Sequence, residues 1–107
     1  MSFGAGSQRS IERKLRQVGT RLRELRDEIG VIDEQLQHLA DDAEDMGIRA
    51  IVAETTSGPG AEARRAREHV EAMARHRAHV VATIVELESK QDHLLDELTT
   101  RLSERRA

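Results

Sequence analysis

From Ile11 onward the apolar residues keep one rhythm. Ile11, Leu15, Val18, Leu22, Leu25, Ile29, Ile32, Leu36, Leu39, Ala43, Met46, Ala50 and Ala53 follow one another at alternating gaps of four and three. That is a heptad a/d pattern, and its 3.5-residue period implies helices that supercoil to the left. A chain that holds this phase for about six heptads has few options. It must form a long helix and lay one narrow stripe against another. The second half supplies the other stripe: Ala63, Ala66, Val70, Met73, Arg77, Val80, Ile84, Leu87, Gln91, Leu94 and Leu98. Two of these seam positions, Arg77 and Gln91, are polar, which in coiled coils commonly fixes register and oligomer state. Ala74, Val81, Leu95 and Leu102 add a flanking stripe, so this seam is wider than two helices need.

Between the stripes lies AETTSGPGAE, residues 53–62, with the only proline of the chain. Proline and glycine interrupt a helix, and a short loop joins antiparallel neighbours. The expected organisation is a flexible tail over 1–9, helix one over 10–54, a turn over 55–60, helix two over 61–105 and a tail at 106–107. Ser10 serves as N-cap. Gly47 is either a bend or a stop, and continuation to about Glu54 is favoured because Ala50 and Ala53 stay in phase. Each helix then spans roughly 67 Å. The fold class is all-α: a long antiparallel two-helix coiled-coil hairpin, expected to dimerise into a four-helix bundle. Folding at the turn sets Ile11 near Leu102, Ile29 near Ile84 and Met46 near Ala66.

Charge selects the same pairing. Residues 9–26 are net +5, 27–54 net −8, 61–79 net +2 and 80–100 net −4. An antiparallel hairpin places +5 beside −4 and −8 beside +2, whereas parallel self-pairing of helix one stacks like charges. Exposed pairs are weak one by one, so charge directs orientation more than it stabilises.

Composition narrows the function. Phe3 is the one aromatic and there is no cysteine, so disulfides, thiol catalysis and cysteine zinc sites are excluded. MSFGAGSQRS lacks a charged stretch followed by an apolar run, Ser2 excludes myristoylation, and no segment reaches the ~18 apolar residues of a membrane span. A cytoplasmic protein is expected. The chain is acidic overall, at net −3, and offers no aromatics to stack bases. Nucleic acid is therefore not an expected partner, despite the basic run from Arg9 to Arg26.

The chemistry-bearing residues form no constellation. His76 and His79 share a helix face in EHVEAMARHRAH. His38, Asp41 and Asp42 fall near His76 after folding, but none of these sits on the seam. HExxH and paired Glu-x-x-His motifs are absent. DDAED, residues 41–45, reads as a solvated face. No catalytic residue, cofactor site or metal site is expected, and the chain is read as no enzyme.

A two-helix hairpin leaves its flank wet. Ala74, Val81, Leu95 and Leu102, with Ile48, Ile51 and Val52 nearer the tip, are the expected interface. A homodimer is the simplest closure, and a protein partner on the apolar flank is its rival. The tip offers Glu54 and Glu62 on either side of the loop.

In length and outline the chain is similar to the secreted Trp-x-Gly hairpin family, which forms four-helix dimers, but it has no Trp. The acidic tip resembles that of Gre-type transcription factors over the hairpin alone. IRAIVAETTSGPGAEARRA and HVEAMARHRAHV resemble small uncharacterised coiled-coil hairpin proteins of high-GC actinobacteria, which implies no activity. The expected function is a coiled-coil interaction or scaffold protein. The alternative is a regulator that docks its tip on a large machine such as RNA polymerase.

Overall fold

The computed structural model describes residues 3–53 and 58–106, with side chains over 8–49, 51 and 60–106. It contains two helices, α1 over Phe3–Ala53 and α2 over Gly58–Arg106. The described residues hold no strand, and the fold is the all-α helical hairpin that the heptads imply.

Three boundaries differ from the sequence expectation. Helix one begins at Phe3, so Ser10 lies inside it and caps nothing. Further along, Arg105 Nη1 donates to Gln8 Oε1 at 2.6 Å, and Gln8 Nε2 donates to Glu12 Oε1 at 3.2 Å. Helix two begins at Gly58 and takes in half of the expected 55–60 turn. Pro59 sits in its first turn, where backbone N–H groups have no intrahelical acceptor and a missing one costs nothing. Helix two also runs one residue past the expected 105 and ends at Arg106. Arg105 and Arg106 there favour the negative end of the helix dipole. Gly47 is no stop, because α1 continues through it to Ala53. Residues 54–57, Glu54 among them, lie outside the described residues.

The chain divides into two units. The first joins α1 up to Asp27 with α2 from Ala82, and the second is Glu28–Val81. In the first, Ile11, Val18, Leu22 and Leu94 are buried in one cluster, with Leu15, Ile84, Leu87 and Leu98 packed against it. All are seam residues. Leu22 is only 1% exposed, and burying a leucine side chain fully stabilises by about 1.5–3 kcal/mol. In the second unit Ile32 and Val80 are buried, but so are Ala43 and Ala63, the latter 1% exposed. Alanine buries far less apolar surface per layer than leucine. Met46 and Ala66, expected to be neighbours, line one shallow cleft there.

Cross-helix pairs follow the charge blocks. In the first unit Arg26 Nη2 donates to Glu88 Oε2 at 3.1 Å. In the second, Arg77 Nε donates to Asp33 Oδ1 at 2.6 Å, and His76 Nε2 lies 3.3 Å from Glu28 Oε1. In the first unit Gln8–Arg105 and Arg26–Glu88 run in opposite chain directions, as an antiparallel hairpin requires.

The alanine layers set a prediction for dynamics. Backbone amides of residues 40–50 and 63–73 should exchange with deuterium faster than those of 15–25 and 84–94, because local opening exposes less apolar surface there. Hydrogen-exchange mass spectrometry checks this, and equal protection in the two units would refute it.

Candidate interaction surface

The seam names every position on the helices. On α1, Leu15, Leu22 and Ile29 are a positions and Val18, Leu25 and Ile32 are d positions; on α2, Ala63, Val70 and Ile84 are a, and Ala66, Met73 and Val80 are d. Arg26 and Glu88, which bond each other, are then both e. Glu28 and His76, which also meet, are both g. The seam is therefore flanked by an e edge on one side and a g edge on the other.

The two edges differ in chemistry. No g position from Lys14 on α1 to Glu104 on α2 is apolar. On the e edge, α1 carries Gly19, Ala40 and Gly47, and α2 carries Ala74, Val81, Leu95 and Leu102. The b positions, which adjoin e on a helix, add Gly30 and Ile51 on α1 and Ala78 and Val85 on α2. On α2 the result is a second 3–4 rhythm through Ala74, Ala78, Val81 and Val85.

The expected interface residues can now be placed. Leu95 and Leu102 are 47% and 40% exposed, Ala74 is exposed and Val81 half-buried. All four lie at e. Ile51 is 78% exposed at b, and Ile48 is exposed at f, further round α1. The Val52 side chain is outside those described, as is Glu54; Glu62 is exposed at a g position. The expected interface missed Val85, 59% exposed, although it follows Val81 by four residues and extends the second rhythm. It also missed Val31, exposed at c and away from the e edge. Nothing around Val31 explains why a valine stands there.

In the second unit the e edge opens into a groove of about 640 Å³. Ala40, Ala43, Gly47 and Ala63 line it with little side chain, while Ile48 and Ile51 stand at its border with Glu44, Arg67 and Glu71. The groove results from the alanine layers, since two helices meeting through alanine leave space where leucine would fill it.

Arg77 occupies an a position, yet its head leaves the seam. Its guanidinium makes a forked contact with Asp33, Nη2 to Oδ2 at 3.4 Å completing the shorter Nε bond. That hydrogen bond, and then the carboxylate charge, raise the guanidinium above its ordinary pKa. A long aliphatic stem in the seam with a charged head at its rim satisfies both environments.

The other polar groups make simple pairs. His76 meets Glu28, with its side chain at the g edge, and His38 lies at c, so level height on the hairpin does not bring them to one face. His93 Nε2 is 3.5 Å from Glu97 Oε1 on the same helix. Among the described residues no three or more His, Cys, Asp or Glu gather as a metal would require, and no buried side-chain N or O lacks a partner. No described helix is long and apolar enough to cross a membrane.

Compared with family models, curated proteins and solved structures, the chain matches none.

The Arg77–Asp33 pair is testable by exchange of charge. Arg77→Asp alone or Asp33→Arg alone should lower the thermal midpoint, because each sets like charges together. The combined variant should recover part of the loss in a circular-dichroism melt, a coupling that independent sites would not show.

Proposed function

We propose that the chain is a non-enzymatic coiled-coil interaction or scaffold module whose working form is a homodimer. The observation that carries this reading is the row of aliphatic side chains left in water on one edge, Val85, Leu95 and Leu102 foremost. Each lies at e or b, beside a seam already closed by the chain itself. They recur along one edge, with Glu88, Asp92 and Thr99 between them, and an apolar row rimmed by polar groups is the kind of surface that association uses. Two hairpins that share such an edge make a four-helix bundle, and a two-fold axis needs only one patch that complements itself. A cytoplasmic location belongs to this reading.

A second reading uses the tip. Ile51, the most exposed large aliphatic among the described residues, and the groove beside it lie toward the end of α1 that leads to Glu54, with exposed Glu62 early in α2. A regulator that docks this end on a large machine would use those groups.

Sedimentation equilibrium across concentration tests the dimer, with a Val81→Glu, Leu95→Glu variant beside the native chain. The native chain should be dimeric and the helical variant monomeric at the same concentration. A native monomer throughout would sink the homodimer. The Glu54→Ala, Glu62→Ala variant should leave the dimer intact, and loss of biological activity with the dimer intact would favour tip docking.

A further inference from the structure

Three glycines, Gly19, Gly30 and Gly47, lie in the part of α1 whose side chains are described, and each weakens a helix interior relative to alanine. Gly19 and Gly47 are e positions and Gly30 is b, so all three belong to the same edge of the helix. Packing among the described residues does not demand them. A Cβ built on Gly30 or Gly47 would meet nothing within 4 Å, and one on Gly19 would meet only the far end of Arg23, at 3.8 Å. Their smallness is unused by the hairpin itself.

The matching edge of α2 has the opposite character. Its e and b positions carry Val81, Val85, Leu95 and Leu102, of which the last three project well into solvent. In each unit the e edge thus holds both hollows and aliphatic side chains: Gly19 with Val85, Leu95 and Leu102 in the first, Gly30 and Gly47 with Val81 in the second. Its charges are complementary as well. In the first unit the e and b positions of α1 carry Arg9, Arg16, Arg23 and Arg26 against Glu12, while those of α2 carry Glu88 and Asp92 against Arg106. In the second unit the signs reverse: Asp33 and Glu44 on α1, Arg64 and Arg67 with Glu71 on α2.

From this we infer that the e edge is the dimer face, that α1 of each copy lies against α2 of the other, and that the two tips point the same way. The inference rests on the homodimer proposed above and specifies its geometry. A two-fold axis along the hairpins brings α1 of one copy over α2 of its partner. The aliphatic side chains of α2 then enter the hollows at Gly19 and Gly30, Gly47 comes level with Arg64 and Arg67 of the partner, and the opposite charges of like units face each other. The reversed arrangement, with tips at opposite ends, lays α1 on α1 and glycine toward glycine. That leaves the hollows empty, which close-packed interfaces avoid. The g edge, with its histidines and carboxylates, stays in solvent.

The decisive variant fills the hollows. Gly30→Leu, Gly47→Leu places a good helix former where the isolated chain has open space, so the hairpin should stay at least as helical by circular dichroism. In the dimer the added side chains collide with the partner. The dissociation constant from sedimentation should rise at least about tenfold. Gln35→Leu, the same kind of change on the g edge, should leave it unaltered. A Glu62→Cys variant with a spin label reports on orientation: tips together give a short distance between labels across the dimer.

The outcomes separate. A native monomer overturns the homodimer and this face with it. A native dimer that tolerates leucine at both glycines keeps the homodimer and overturns the face. A dimer that is split by leucine but holds its labels far apart overturns the shared tip direction.

Discussion

The hairpin depends on the burial of one narrow aliphatic seam. Leu22, with Ile11, Val18 and Leu94 around it, is removed from water only because the two helices lie side by side. Neither stripe can be satisfied within its own helix, since a single helix has no interior for side chains. Helix propensity alone would leave long segments marginal, and packing of the stripe supplies what is missing. The charged pairs act on top of this. Arg26–Glu88 and Asp33–Arg77 are exposed, and such pairs set alignment and direction while contributing little to stability.

The seam is not uniform, and the change in its residues creates the candidate surface. In the first unit it is built of isoleucine, valine and leucine and closes well. In the second, Ala43 and Ala63 close the seam with little apolar volume, and a groove opens beside them. The same exchange of large residues for small ones thus lowers local packing and exposes Ile51 at the groove border. A weaker layer and an accessible apolar surface are two consequences of one composition.

Much of this was legible from spacing alone. The gaps of four and three placed every buried residue on the seam, and the charge blocks named the segments in which Arg26 and Asp33 find their partners. Helix ends were less legible. α1 begins at Phe3, ahead of the local cap signal at Ser10, and its early part meets the far end of the chain through Gln8 and Arg105, a contact that no local signal reveals. The start of α2 depends on Pro59 taking the first turn, where proline is at ease; inside a loop motif it reads as a breaker. At the surface, Leu95, Leu102 and Val81 were visible as a stripe at sevens. Val85 was hidden because it joins the pattern at b, a row that matters only once e is seen as an edge. The difference between the e and g edges needed the observed bonds, since Arg26–Glu88 and Glu28–His76 reveal which row faces which.

The glycines give that difference an energetic meaning. An interior glycine costs a helix about 1 kcal/mol relative to alanine. Gly19, Gly30 and Gly47, with no neighbour inside the chain that needs the space, are a standing cost to the hairpin. All three fall on the edge that also holds the exposed aliphatics of α2, while Gly4 and Gly6, in the first turn of the helix, lie at d and f. A second helix packed into those positions converts the cost into close contact and gains van der Waals attraction over the length of the approach. In the proposed dimer the helices give up some stability of their own, and contact between the two copies offsets it.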